Sequence, residues 1–68
     1  MKNKIKKLDG VFLHSLSEVY SKEIGLGTKI WQWSLIFPNA RIGANCNICA
    51  HSLVENDVII GDDVTVKS

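Results

Sequence analysis

The hydrophobic pattern of this chain is set by one aliphatic residue in every six, beginning at Ile24. Isoleucine or valine fills this position at each occurrence: Ile24, Ile30, Ile36, Ile42, Ile48, Val54, Ile60 and Val66. A small or slim residue follows four places later: Thr28, Ser34, Ala40, Cys46, Ser52, Val58 and Val64. A period of six differs from the 3.6 of an amphipathic helix and is a multiple of the strand period of two. The pattern therefore predicts short strands.

Glycine follows the aliphatic residue at every third repeat, at Gly25, Gly43 and Gly61. If each repeat is one short strand and a turn, three repeats close a triangular coil of eighteen residues. The aliphatic side chain then points to the axis, and the small residue fits a crowded corner. Successive coils pair as parallel strands about 4.8 Å apart. The sequence thus predicts an all-β fold, a parallel β-helix of the hexapeptide-repeat type.

The wording of the repeats resembles a known family over residues 19–68. The stretch that carries the resemblance is EIGLGTKIWQWSLIFPNARIGANCNICAHSLVENDVIIGDDVTVKS. It is similar to the left-handed parallel β-helix acyltransferases, and within them to N-acetyltransferases of nucleotide-linked amino sugars from bacterial polysaccharide biosynthesis. The resemblance implies left-handed coiling, a homotrimer of parallel prisms, and acetyl-CoA as the acetyl donor.

The repeat also divides the chain into two parts. Residues 1–18 are predicted to form a basic tail and an irregular N-terminal cap, and residues 19–68 the β-helix of about two and a half coils. Val19 lies five residues before Ile24, where the repeat requires six, so the first half-coil is expected to be irregular. Family members run on for several more coils that carry much of the acetyl-CoA groove, so the β-helix is interpreted as truncated at its C-terminus.

This interpretation leaves two functions open. The first is an acetyl-CoA-dependent N-acetyltransferase of nucleotide-linked amino sugars. The second is a non-catalytic trimeric β-solenoid scaffold derived from such an enzyme, which keeps the fold without the cofactor groove.

Stacking the repeats on paper assigns residues 30–35 and 48–53 to one flat face. Exposed apolar and aromatic side chains on one side of a small protein indicate an interaction surface. The predicted subunit interface therefore consists of Trp31, Trp33, Leu35, His51 and Leu53. A homotrimer is expected to form through it, and a hexamer of two trimers through the open solenoid ends, because unpaired strand edges favour such pairing.

Two sets of residues are candidates for chemistry. His51 is the candidate general base, because an imidazole titrates near neutrality and the resembled family often places a histidine near a subunit boundary. The alternative is an interface histidine that only packs or forms hydrogen bonds. Glu55, Asn56 and Asp57 are candidates for binding the sugar hydroxyls or the acceptor amine. Their alternative is a polar turn at a corner of the prism.

Cys46 and Cys49 form a C-x-x-C pair, which invites a metal or redox interpretation. A zinc site needs four ligands, usually two such pairs. The repeat explains Cys46 as a small inward-facing residue, so no metal site is predicted. His14 lies outside the repeat and is predicted to be a surface residue.

Charge and hydropathy restrict the remaining classes of function. The net charge of +1 provides no large field for nucleic acid, and no segment approaches the roughly 20 apolar residues of a membrane span. Asp9 interrupts the apolar run that a signal peptide would need, so a cytoplasmic protein is expected. Half of the positive charges lie at Lys2, Lys4, Lys6 and Lys7. This segment is either a solvated terminus or an anion-binding site.

Overall fold

The computed structural model describes residues 3–67. Met1 and Lys2 of the predicted basic tail, and Ser68 of the predicted β-helix, lie outside the described residues. The described chain forms short strands and no helix, and therefore no helix that could cross a membrane. The strands are β1 (Phe12–Leu13), β2 (Glu18–Val19), β3 (Lys29–Ile30), β4 (Leu35–Ile36), β5 (Arg41–Ile42), β6 (Asn47–Ile48), β7 (Leu53–Val54), β8 (Ile59–Ile60) and β9 (Thr65–Val66).

These strands stack into three parallel sheets, one for each side of a prism. Sheet 1 has the order β1-β3-β6-β9, sheet 2 the order β2-β4-β7, and sheet 3 pairs β5 with β8. A parallel bridge from Ile24 to Ile42 extends sheet 3 into the first coil. The predicted parallel β-solenoid is confirmed, with about three stacked coils. Left-handed coiling stays a prediction from the resemblance.

The first coil is shorter than the others by one residue. Phe12 pairs with Lys29, seventeen residues later, whereas Lys29 pairs with Asn47, eighteen residues later. The missing residue lies between Val19 and Ile24, which confirms the expected irregularity. Parallel pairing nevertheless begins at Phe12, because the shorter coil still places Leu13 beneath Ile30. The division of the chain at residue 18 stays a prediction about domains.

The core is built from two inward positions on each strand. Side chains alternate across a strand, so residues two apart, such as Thr28 and Ile30, point to the same side. Ile30, Ile36 and Ile48 are completely buried. The full buried hydrophobic cluster is Val19, Ile30, Ile36, Ala40, Ile42, Cys46, Ile48 and Val54.

The small inward residues bind the backbone of the following coil. The hydroxyl of Thr28 donates to the carbonyl of Gly43 at 2.7 Å, and that of Ser34 to the carbonyl of Cys49 at 2.8 Å. Cys46 Sγ lies 3.0 Å from the carbonyl of Gly61 in the equivalent arrangement. Buried polar groups need such partners because leaving them unpaired costs free energy. Thr28, Ser34 and Cys46 thus combine small volume with a donor that reaches the next coil, whereas Ala40 provides small volume alone.

The corners of the prism lie at other residues than the repeat predicted. The prediction put one repeat, from one aliphatic residue to the next, on each flat face. The structure instead turns within each repeat, at residues 32–33, 50–51 and their equivalents, and the strands lie between these turns. The inward pair that shares one flat side is the small residue and the aliphatic residue two places later, such as Thr28 and Ile30. The turn falls between one such pair and the next.

The column of glycines is required by the close stacking of backbone in sheet 3. A Cβ atom added to Gly43 would lie 2.7 Å from the carbonyl carbon of Gly61 and 2.8 Å from the amide nitrogen of Asp62. A Cβ atom added to Gly61 would meet no atom of the described residues within 4 Å. Gly43 and Gly61 therefore occupy equivalent positions in one column, but only Gly43 lacks space for a side chain.

We expect Gly43→Ala to lower the free energy of unfolding by about 1–3 kcal/mol, the usual result of forcing extra atoms into packed structure. Gly61→Ala is the control and should leave stability within about 0.5 kcal/mol of the parent. Urea denaturation followed by circular dichroism measures both. Equal losses in the two variants would contradict the observed difference in space above the two positions.

Candidate functional site

His51 and Trp33 lie one above the other at the corner between sheets 1 and 2. Each is the second residue of its turn, and the amide of His51 donates to the carbonyl of Gln32 at 3.2 Å. Their ring centroids are 4.9 Å apart and the ring planes are inclined by 36°. Stacking by eighteen residues predicted this neighbourhood, and it is confirmed. We call the column formed by Leu16, Trp33 and His51 the aromatic corner.

The turn geometry explains His51 better than it explains Trp33. Both residues have left-handed backbone conformations, with φ of 63° and 60°. Asn45, Asp57 and Asp63 occupy the same turn position with the same conformation. Histidine, asparagine and aspartate are enriched in this region, whereas a bulky residue there is an outlier. Such strain costs of order 1–3 kcal/mol and is concentrated at functional sites, so the Trp33 ring is the stronger sign of a role outside the coil.

Apolar side chains continue from the aromatic corner onto both adjoining sheets. Phe12 is 45 % exposed, Leu16 53 %, Trp33 57 % and Leu53 56 %. On the side of sheet 1, Trp31 lies 5.1 Å from Phe12 between ring centroids, and its indole N–H donates to Asn47 Oδ1 at 2.7 Å.

The residues predicted as a subunit interface surround this corner, although they do not share one flat face. Trp31 lies beside sheet 1, Trp33 and His51 at the corner, and Leu35 beneath Leu53 in sheet 2. Their surface is thus a convex ridge with two flanks. Its role as a subunit interface stays a prediction.

The candidate substrate-binding residues lie at the next corner, between sheets 2 and 3. Asn56 Oδ1 accepts a hydrogen bond from the amide of Asn39 at 3.0 Å, and the amide of Asp57 donates to the carbonyl of Asn39 at 3.1 Å. Asp62 makes the equivalent contact at the third corner, where its Oδ1 accepts from the amide of Ala44 at 2.8 Å. The side chain of Asn56 therefore supports the stacking of coils, although it is exposed, as are Glu55 and Asp57.

A single chain does not bring His51 together with residues 55–57. Strand β7 separates them, and at roughly 3.3 Å per residue His51 and Glu55 are about 13 Å apart along the chain. A ligand that contacts both groups within one chain would have to span the width of sheet 2. Two copies of the chain would be needed to bring the two groups face to face.

The two cysteines point in different directions from strand β6. Cys46 is buried in the core, as predicted from the repeat, and Cys49 is partly exposed; both are free thiols. Residues three apart in an extended strand lie on opposite faces, so one metal ion cannot be held by both. Within residues 3–67, no group of three or more His, Cys, Asp or Glu side chains is placed to hold a metal ion.

His14 is more involved in the structure than its position outside the repeat predicted. It lies on sheet 1 beside Trp31, and its Nδ1 accepts the amide of Leu16 at 3.0 Å. The spacing of seventeen residues from Leu13 to Ile30 is the signal that would have located it.

In the same coil, the pKa of Tyr20 is raised. Partial burial is the first cause, and the second is the carboxylate of Glu18, which accepts a hydrogen bond from the Tyr20 hydroxyl at 3.2 Å.

Comparison with known proteins supports the resemblance through one curated relative. The chain is 54 % identical over 38 residues to a dTDP-3-amino-3,6-dideoxy-alpha-D-galactopyranose 3-N-acetyltransferase of Aneurinibacillus thermoaerophilus. The match covers 56 % of this chain and 20 % of the relative, so it spans about one fifth of that enzyme's length. No family model matches the chain. By fold and by this match, the chain is a hexapeptide-repeat β-solenoid similar to a nucleotide-sugar N-acetyltransferase.

Proposed function

We propose that the chain contributes to acetyl-CoA-dependent N-acetylation of a nucleotide-linked amino sugar. The 54 % identity over 38 residues to a dTDP-amino-sugar N-acetyltransferase carries the proposal. In this reaction the acceptor amine attacks the thioester carbonyl of acetyl-CoA. A C–N bond forms, the C–S bond breaks, and coenzyme A leaves as its thiol. The amine loses one proton, which His51 or water accepts and passes to the leaving thiolate.

The active unit in this proposal is a homotrimer that brings two different corners together. His51 at the aromatic corner of one protomer would face residues 55–57 of its neighbour, which would hold the sugar hydroxyls or the amine. The separation of these groups within one chain supports this arrangement, as does the exposure of both. The exposed apolar side chains around the aromatic corner supply the surface that a trimer would bury.

Substitution of His51 by asparagine tests the proposed base. Asparagine tolerates the left-handed backbone at this turn, so His51→Asn should fold normally. We expect acetyl transfer to a dTDP-linked 3-amino sugar to fall by about 10²–10⁴-fold, the usual contribution of a general base. Acetyl-CoA binding, measured by calorimetry, should not change. Unchanged transfer would remove His51 from the mechanism, and the absence of both binding and transfer in the parent chain would remove the proposed function.

The alternative is a non-catalytic trimeric scaffold. The side chain of Asn56 favours it, because its carbonyl oxygen is occupied by the amide of Asn39 and is thus part of the coil. A scaffold would form trimers but release no heat of binding with acetyl-CoA, so the same calorimetry distinguishes the two functions.

A hexamer of two trimers forms part of the same proposal. At the end of the third coil, Ile59 is 73 % exposed, Val58 39 % and Val64 37 %, although valines at the latter two positions point inward. Within residues 3–67, the hydroxyl of Ser52, below this end, is buried without a hydrogen-bond partner. Contact between two such ends would cover apolar surface and open strand edges. Light scattering would report twice the trimer mass.

A further inference from the structure

A pocket of about 220 Å³ lies at the N-terminal end of the solenoid, beside the turn that carries Leu16 of the aromatic corner. The N-terminal segment forms one wall, and the turn that follows β1 forms the other. Its lining residues are Lys4, Ile5, Lys6, Leu13, His14, Ser15 and Ser17. Among the described residues, no carboxylate lines this pocket.

The N-terminal wall is anchored through Ile5. The amide of Ile5 donates to the carbonyl of Val19 at 2.6 Å, and its side chain packs against the core. In an extended segment the residues on either side of an inward side chain point the other way. Lys4 and Lys6 therefore point away from the core, and both border the pocket. The segment is thus attached to the solenoid at Ile5, and the side chains of Lys4 and Lys6 are exposed. The two interpretations of the lysine-rich start both stay predictions.

The opposite wall is a turn fixed by three hydrogen bonds. The carbonyl of His14 accepts from the amide of Ser17 at 2.9 Å and from its hydroxyl at 2.7 Å. The amide of Leu16 donates to His14 Nδ1 at 3.0 Å. A neutral imidazole that accepts at Nδ1 carries its proton on Nε2. His14 is thus held as a hydrogen-bond donor at Nε2, and the hydroxyl of Ser15 forms no hydrogen bond within the described part of the chain.

Electrostatics favours an anion in this pocket. The pocket is bordered by four residues that carry hydrogen-bond donors, Lys4, Lys6, His14 and Ser15, and by no carboxylate of the described residues. The acidic residues of the third coil, Glu55, Asp57, Asp62 and Asp63, are carried by the opposite end of the solenoid. Hydrogen bonds between charged donors and a phosphate are among the stronger ones in proteins. We propose that this pocket binds a phosphate group, either as the free ion or as part of a phosphorylated ligand.

The test is a titration of the ¹⁵N-labelled 68-residue chain with inorganic phosphate, pyrophosphate and a nucleoside diphosphate in separate arms, with chloride at equal ionic strength as the blank. We expect saturable amide shifts at residues 4–6 and 13–17. The variant Lys4→Gln/Lys6→Gln should weaken binding by about tenfold or more, because it removes two charged donors. The matched control, Lys29→Gln/Lys67→Gln, changes two exposed lysines outside the pocket and should bind like the parent.

The outcomes separate the proposal from general charge effects. Saturable binding that is lost only in the Lys4/Lys6 variant supports a phosphate site, and the relative affinities in the three arms identify the source of the phosphate. Shifts that never saturate, or that decrease equally in both double variants, would overturn it. Thermal melts of the variants confirm that the fold is intact. Since acetyl transfer plays no part in this readout, the result is independent of the proposed function.

Discussion

Ile48→Ala is expected to lower the free energy of unfolding by about 2–5 kcal/mol, the range for large-to-small changes in well-packed cores. Ile48 is completely buried, and it lies between Ile30 and Val66 in the innermost column of sheet 1. Single domains are stable by only about 5–15 kcal/mol, and short chains lie at the low end. The variant should therefore be largely unfolded under mild conditions. Urea denaturation at a fixed protein concentration measures the loss.

Val66→Ala is the matched control for this substitution. Val66 stands directly above Ile48 in the same column, but it is only half-buried. At about 0.8 kcal/mol per buried methylene, and with part of the side chain already in water, the expected loss is about 1 kcal/mol or less. A loss at Val66 as large as that at Ile48 would contradict the graded burial along this column. The protein concentration must be equal in both experiments, because association stabilises folded subunits by mass action.

Trp33→Glu combined with Leu53→Glu is expected to convert the proposed trimer into monomers. Both side chains are more than half exposed in the single chain, so the change should not disturb the core. In a trimer formed around the aromatic corner, each would place an unpaired carboxylate in an apolar interface, which is strongly unfavourable. Multi-angle light scattering should show the mass falling from that of the trimer or hexamer to that of the 7.6 kDa chain.

Leu26→Glu provides the control for surface charge. Leu26 is 68 % exposed, and it lies at the corner between sheets 3 and 1, away from the aromatic corner. This variant should keep the parent mass. A parent chain that is already monomeric, or a mass that falls equally in both variants, would contradict the assignment of the interface.

The sequence predicted the solenoid because its information is local and repeated. Each repeat places its aliphatic residue on the buried side of the strand, as at Ile30, Ile36, Ile42 and Ile48. Thr28 and Ser34 could be identified as inward residues from their spacing alone, although their hydrogen bonds to the next coil could not. Those bonds depend on which carbonyl lies above each hydroxyl, and this is fixed only when the coils stack.

The candidate site was predicted less completely, because its geometry depends on where the corners fall. The proximity of His51 to Trp33 follows from the period of eighteen residues. The separation of His51 from residues 55–57 follows from the position of the turns, which the period does not specify. Asn56 and Asp62 are of residue types that often bind ligands, but their side-chain oxygens accept hydrogen bonds from backbone amides of the coil below.

Three features follow from the sequence alone: the strand period, the inward face of each repeat and the irregular spacing before Ile24. Each of them is a relation between residues that are close to one another in the chain. Only the tertiary structure decided which repeat stands above which in the first coil, and which side chains meet at a corner. The same is true of the pocket between Lys4, Lys6 and His14, which exists because Ile5 binds Val19. Such contacts join residues from different coils, and one missing residue changes the whole register of the coil.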